Sequence, residues 1–220
     1  MEKKPIRLSE LSYEHNKKGN IVCIKENDKF VPYIVLTNNY KRNVLLLRKD
    51  ILNSKHRISD YSSYYENSEI DNYLNTVFLE SIDDYSDMVV PTDIEITNME
   101  SIGEDGSGTT TITRKVFLLS LNELGIKEIA QEGSGLDYFE YPENRLAYDE
   151  NKLSSWWLRT PNTANISTVY FVNGNNKLSF TNANDLNGVR PAMCMSGDIP
   201  VEKINVGNGE SFYIISNKNT

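Results

Sequence analysis

The sequence predicts a domain that mixes helix with antiparallel strand, and three observations carry that expectation. Residues 21–48 hold three runs rich in Val, Ile, Leu and Tyr. Residues 67–82 change to a helical period, and the last third returns to short β-type runs between Asn- and Gly-rich turns. A chain of 220 residues suits one large domain or one domain with an appendage. The division expected is a main domain over 1–198, opening on a β-meander, and a hairpin or interaction tail over 199–220.

In chain order, Ile21 to Lys25, Phe30 to Thr37 and Asn43 to Arg48 read as the meander, with turns at Glu26-Asn27-Asp28 and Asn38-Asn39. From Asn67 to Ile82, the residues Ile70, Leu74, Val77, Phe78 and Ser81 recur at three- and four-residue spacing behind a Ser68 cap, which predicts an amphipathic helix. Asp83 to Thr113 is acidic and then rich in Gly, Ser and Thr, and reads as a surface excursion. Its Gly103-Glu104-Asp105-Gly106-Ser107-Gly108 lacks a following Lys-Ser/Thr, so a loop is preferred to a phosphate cradle. Lys115 to Leu119 reads as a buried strand, and Ser120 to Ile129 as a second helix opened by the capping box Ser120-x-x-Glu123. After Gly133-Ser134-Gly135 and the aromatic group Tyr138, Phe139 and Tyr141, strands are expected at Trp156 to Arg159, Thr168 to Val172, Leu178 to Thr181 and Val189 to Met195. A last hairpin, Val201 to Asn205 with Ser211 to Ile215, follows.

Composition excludes several classes of function. The chain carries 23 Lys plus Arg against 31 Asp plus Glu, a formal −8, and its basic residues cluster only in pairs such as Lys3-Lys4, Lys17-Lys18 and Lys41-Arg42, so nucleic acid is not an expected partner. Apolar runs such as Tyr33 to Leu36 are far shorter than the roughly 20 residues of a membrane helix, and no apolar stretch follows the initial charges, so neither membrane insertion nor a secretory signal is expected. Cys23 and Cys194 read as two buried free thiols, with one long-range bridge as the alternative. His15 and His56 have no partner at ligand spacing and read as surface histidines, and no metal or cofactor is expected. Carboxylate pairs such as Asp83-Asp84 and Glu104-Asp105 stand in acidic loops, away from apolar neighbours that would tune one of them for acid catalysis.

Four separated motifs carry a family resemblance over roughly residues 20–195. They are Ser68-Glu69-Ile70 with Tyr73-Leu74-Asn75; Lys115 to Ser120 with Glu123; Trp156-Trp157-Leu158-Arg159-Thr160-Pro161; and Gly188-Val189-Arg190-Pro191-Ala192. Together they resemble a domain-of-unknown-function family common in Firmicutes and their phages, itself similar to the C-type lectin-like scaffold of formylglycine-generating enzymes and phage receptor-binding proteins. The resemblance implies an α+β fold: two helices packed on a small twisted antiparallel sheet, long irregular loops, and a core ladder of Trp156 to Arg159 with Val189 to Met195. The Glu-Pro-Asn, Gln-Pro-Asp and Trp-Asn-Asp triplets of calcium-dependent lectins are absent, and Cys23 and Cys194 do not match the paired cysteines of the oxidases.

The signature residues Trp156, Trp157, Arg159, Gly188, Arg190 and Pro191 read as structural. Adjacent tryptophans on a strand face opposite sides, and each arginine fork suits loop carbonyls or a carboxylate. Asn162, Asn165, Asn173, Asn175, Asn176, Asn182, Asn184 and Asn187, with Tyr170 and Phe180, form a candidate contact surface of the adaptable kind that binding loops use. Turn demand is the other explanation for so many asparagines. The surface reading expects substitutions at Asn162, Asn165, Asn175 and Asn184 to abolish binding at unchanged melting temperature.

The function expected is a non-enzymatic binding or structural module of a phage or phage-like particle, made in the cytoplasm and carried in the tail, baseplate or decoration. Its partners would be other virion subunits and a host surface glycan or protein. The alternatives are a cytoplasmic bacterial interaction or sensor protein, and an enzyme with a degenerate formylglycine-type pocket and a reactive Cys194.

Overall fold

A computed structural model describes residues 4–11, 20–127, 131–207 and 209–216. Lys3, His15, Lys17, Lys18 and the Ile129 end of the expected second helix lie outside these residues. The strands are β1 (Ile6–Arg7), β2 (Ile21–Glu26), β3 (Lys29–Tyr40), β4 (Asn43–Arg48), β5 (Thr92–Thr97), β6 (Thr109–Arg114), β7 (Val116–Phe117), β8 (Ala147–Asp149), β9 (Lys152–Ser154), β10 (Trp156–Pro161), β11 (Thr168–Val172), β12 (Leu178–Asn182), β13 (Ala192–Met195), β14 (Pro200–Gly207) and β15 (Glu210–Ile215).

The expected α+β arrangement of two helices on a small sheet is not what forms: the fold is mostly β. One sheet of eight strands, in the order β1-β14-β15-β2-β3-β4-β13-β7, dominates it. Three smaller sheets, β10-β11-β12, β5-β6 and β8-β9, accompany it. Every pairing in the large sheet is antiparallel except β15 with β2, where Tyr213 faces Val22 and Ile214 faces Cys23. The C-terminal hairpin β14–β15 is thus inserted between β1 and the meander.

The meander turns twice on two-residue loops. Asn27 and Asp28 have φ of 47° and 66°, and Lys41 and Arg42 have φ of 50° and 69°, the doubly left-handed geometry whose twist matches that of the strands it joins. The second turn corrects the expectation at Asn38-Asn39. Those residues stay within β3, where the register against β4 shifts between Val35 and Thr37 and again between Thr37 and Tyr40. Two irregularities so close bend the strand and aim its side chains out of the regular pleat.

The expected first helix is present over 69–81. The Ser68 side chain accepts from the Asp71 backbone, and Ile70, Leu74 and Phe78 are buried, while the middle turn, Leu74–Phe78, widens to π-helical geometry. The second helix does not propagate. Ser120 and Glu123 do exchange capping bonds (Ser120 N to Glu123 Oε2, 2.8 Å; Glu123 N to Ser120 Oγ, 3.2 Å). One turn later Gly125 adopts φ of 77°, with Gly125 N donating to Asn122 O and Ile126 N to Leu121 O, the paired bonds that close a helix. The result is a single turn.

Two further expectations change. The surface excursion expected over Asp83 to Thr113 contains a strand pair, because β5 and β6 pair along their whole length and bury Ile94, Ile96 and Ile112. The alternation Thr92-Asp93-Ile94-Glu95-Ile96 is the period-2 signal of a half-buried strand. The expected ladder of Trp156 to Arg159 with Val189 to Met195 is also absent: β10 pairs with β11, β13 pairs with β4 and β7, and a lone bridge from Trp156 to Gly188 links the two segments.

Candidate functional site: a cleft over a buried ion network

Strand β10 is buried along its length, and Arg159 at its centre is fully enclosed. A buried guanidinium needs its donors satisfied, and here backbone carbonyls and one carboxylate do so. Nε donates to Glu95 O (3.0 Å), Nη1 to Leu118 O (2.7 Å) and Glu123 Oε2 (2.7 Å), and Nη2 to Glu123 Oε1 (3.1 Å). The one-turn element closed by Gly125 places Glu123 for this bidentate pair. Burial alone would lower the Arg159 pKa, but the Glu123 carboxylate more than reverses it, with Tyr40 and Glu132 adding to the rise.

The network reaches two segments that have no regular ladder of their own. The Tyr40 hydroxyl, at the bulged end of β3, donates to Glu123 Oε1 at 2.5 Å. Glu132, also fully buried, accepts from Thr97 N and Thr97 Oγ1 (2.6 Å each) and from Thr160 Oγ1 (2.5 Å), while its own carbonyl accepts from Ser120 Oγ (2.5 Å). Burial raises the Glu132 pKa, opposed by Arg159 and the three hydrogen bonds. One enclosed carboxylate, Glu123, is thus paired with the guanidinium, while the other, Glu132, is held by Thr97 and Thr160 and meets Arg159 through its backbone carbonyl (Nη2 to Glu132 O, 3.5 Å).

Between these two anchored segments lies a cleft of about 720 Å³, open to solvent. One wall is 36–41, the end of β3 and the first residue of the turn that follows. The other is the loop 131–137, where Gly133 has φ of 84° and a Cβ would lie 3.0 Å from Glu123 Oε1, so a side chain there would press on the network. At the rim Lys41 Nζ meets Glu95 Oε1 at 2.6 Å. The remaining lining is chiefly amide, hydroxyl and carboxylate: Asn38, Asn39, Gln131, Ser134 and Asp137. Sequence reasoning missed this site, although Tyr40 follows the Asn38-Asn39 pair misread as a turn and Ser134 stands in the Gly133-Ser134-Gly135 loop.

The signature residues are placed around the core. Trp156 and Trp157 are both fully buried, their indole nitrogens donating to Arg145 O (2.9 Å) and His56 O (2.7 Å). Gly188 passes so close to β10 that a Cβ would lie 2.3 Å from Ser155 O, and Pro191 O accepts from Arg48 N. Arg190 is buried, its Nε donates to Arg48 O (2.8 Å), and its guanidinium lies 5.1 Å over the Trp156 ring, but Nη1 has no hydrogen-bond partner. Burial lowers its pKa to about 10, with only partial compensation from Tyr138 and Asp50.

The candidate asparagines divide by use. The side-chain oxygens of Asn162, Asn165 and Asn173 accept from backbone N–H groups two residues on (Ala164, Ser167, Asn175), which fixes turns. Asn187 accepts from Ser155 Oγ and Gly188 N, and Asn176 occupies φ of 63° in the β11–β12 turn. Asn175, Asn182 and Asn184 are exposed. Tyr170 and Phe180 face each other across β11 and β12 with ring centroids 6.0 Å apart, edge to face, and Asn182 shares their side of the sheet. None of these residues lines the cleft.

Cys23 and Cys194 are buried and unbridged, and burial pushes the Cys194 thiol up to about 12, which suppresses the thiolate a nucleophile needs. His56 Nε2 lies 2.7 Å from Ser54 Oγ and its ring packs on Tyr73. Among the described residues no His, Cys, Asp and Glu gather as a metal site, and no helix is long and apolar enough to cross a membrane. No curated protein and no solved structure matches the chain. A family defined as a domain of unknown function, DUF6273, matches residues 41–197, from the turn after β3 to two residues past β13, and includes Glu95, Glu123, Glu132, Arg159 and Arg190. The chain belongs to the DUF6273 family.

Proposed function

We propose that this chain is a non-enzymatic binding module whose cleft takes a neutral, hydroxyl-rich ligand of the saccharide class, and that it serves in a phage or phage-derived particle. The observation that carries the binding role is the fastening of both cleft walls to one buried ion network. A buried ion pair that meets one wall through the Tyr40 hydroxyl and the other through the Glu132 carbonyl is a poor source of stability and a good source of fixed geometry, which a binding site requires. The lining sets the ligand class. Lys41 is occupied by Glu95, which leaves amides, a hydroxyl and a carboxylate able to exchange hydrogen bonds with groups that both donate and accept, as sugar hydroxyls do. The particle setting rests on the family resemblance alone.

The test is a titration of the full chain with N-acetylglucosamine and with galactose, followed by amide chemical shifts. Shifts at Asn39, Gln131 and Ser134 that disappear in Gln131→Ala are the expected result. Shifts confined to other surfaces, or none with either sugar, reject the cleft as a saccharide site. Mass spectrometry of gradient-purified particles tests the setting: recovery at fixed copy number supports it, and absence rejects it in favour of an intracellular binding protein.

A further inference from the structure

Strand β12 is the outer strand of its sheet, with no strand beyond it among the described residues. Its hydrogen-bonding phase follows from its ends. Ala183 N donates to Ser167 O and Asn173 N to Lys177 O, so the bonded pairs of this ladder are Val169 with Thr181 and Phe171 with Ser179. Bonded and non-bonded pairs alternate in an antiparallel ladder, so Leu178, Phe180 and Asn182 turn their N–H and C=O groups away from β11 toward the open edge. Native edges are usually blunted by charge, proline or a bulge, and Leu178-Ser179-Phe180-Thr181-Asn182 has none of these: it is uncharged and pairs with β11 without a register shift.

We propose that β12 pairs antiparallel with β12 of a second copy of this chain, about a twofold axis at Phe180. In that register Phe180 faces Phe180 of the partner subunit and Leu178 faces Asn182 of the partner subunit. The outward groups form about six main-chain hydrogen bonds, with Asn182 O, which already accepts from Asp185 N (3.0 Å), taking a second donor on its other lone pair. The two three-stranded sheets become one of six strands. Phe180, 55% exposed in the single chain, gains a second aromatic ring on the same face as Tyr170. Charge favours this occupant: Lys177 precedes the strand and Asp185 follows it, so the twofold brings each toward the oppositely charged end of its counterpart, while the paired strands themselves carry no charge. The contact is isologous and closes at two copies. It uses neither the cleft nor its walls and stands or falls independently of the saccharide reading.

Sedimentation equilibrium of the full chain at micromolar to submillimolar concentration tests it, with Asn182→Lys, Phe180→Lys and Leu186→Lys alongside. Phe180→Lys sets like charges across the axis. Asn182→Lys changes an exposed side chain, so it is the variant to read if Phe180→Lys fails to fold. Leu186, 63% exposed and outside β12, is the control. The expected result is a wild-type dimer, a dimer in Leu186→Lys, and at least a tenfold weaker dimer in Asn182→Lys with unchanged circular dichroism. A wild-type monomer throughout the range, or an Asn182→Lys dimer as tight as wild type, overturns the proposal.

Discussion

Arg159 and Arg190 come from the same signature and are equally enclosed, yet their surroundings are opposite. Arg159 is paired bidentately with Glu123 and spans the backbone carbonyls of Glu95 and Leu118, and its pKa is raised. Arg190 has a single backbone carbonyl on Nε, a tryptophan face and an unpartnered Nη1, and its pKa is lowered to about 10. The difference teaches that burial of an arginine does not by itself reveal its work. Arg159 is a junction that other groups depend on, whereas Arg190 is a packed side chain with no carboxylate bonded to it, only the more distant influence of Asp50 and Tyr138.

The largest effect expected is therefore Arg159→Met, which strands Glu123 and Glu132 in the interior and should cost about 3–5 kcal/mol in urea unfolding. Arg159→Lys should recover little of it, because an ammonium cannot hold the carboxylate and both carbonyls in one plane. Tyr40→Phe removes one hydrogen bond to a carboxylate and should cost about 2 kcal/mol. It should also speed amide exchange in residues 36–41 ahead of the rest of β3. Arg190→Met loses a cation–π contact and one hydrogen bond but also relieves an incompletely compensated buried charge, so about 1 kcal/mol is expected. Equal losses at Arg159 and Arg190 would erase the distinction drawn between them.

The smallest effect is a pH dependence. The folded Glu132 carboxyl holds its proton to higher pH than the unfolded one, so the native state binds more protons in that window. Its contribution to stability is then present below the ordinary carboxylate value and declines as pH rises from there through the raised folded value. Glu132→Gln should remove that part of the slope. An unchanged slope in chemical unfolding from pH 4 to 8 would place the pH dependence elsewhere.

Much of the local structure was legible in the sequence. The meander, the helix behind Ser68 and the late strands all carry the period of their element over several residues. Failures occurred where one residue or a distant partner decides. Gly125 ends the second helix after one turn, a decision that a capping box at Ser120 does not reveal. Asn38 and Asn39 look like a turn because their usual preference is for one, but pairing with β4 keeps them in a bulged strand. The eight-stranded sheet was invisible because its order depends on contacts such as Ile214 with Cys23, far apart in sequence. The same holds for the cleft: Tyr40, Glu95, Glu123, Glu132 and Arg159 come from five separate segments, and no spacing rule links them.

The most direct test of the Arg159 network is a double-mutant cycle of Arg159→Met and Glu123→Gln in urea unfolding. Because Arg159→Met does its damage chiefly by leaving Glu123 charged and alone, the double variant should be less destabilised than the sum of the single variants by about 2 kcal/mol or more. Additivity within about 0.5 kcal/mol would show that the two residues act independently, and would contradict the claim that one buried junction holds both walls of the cleft.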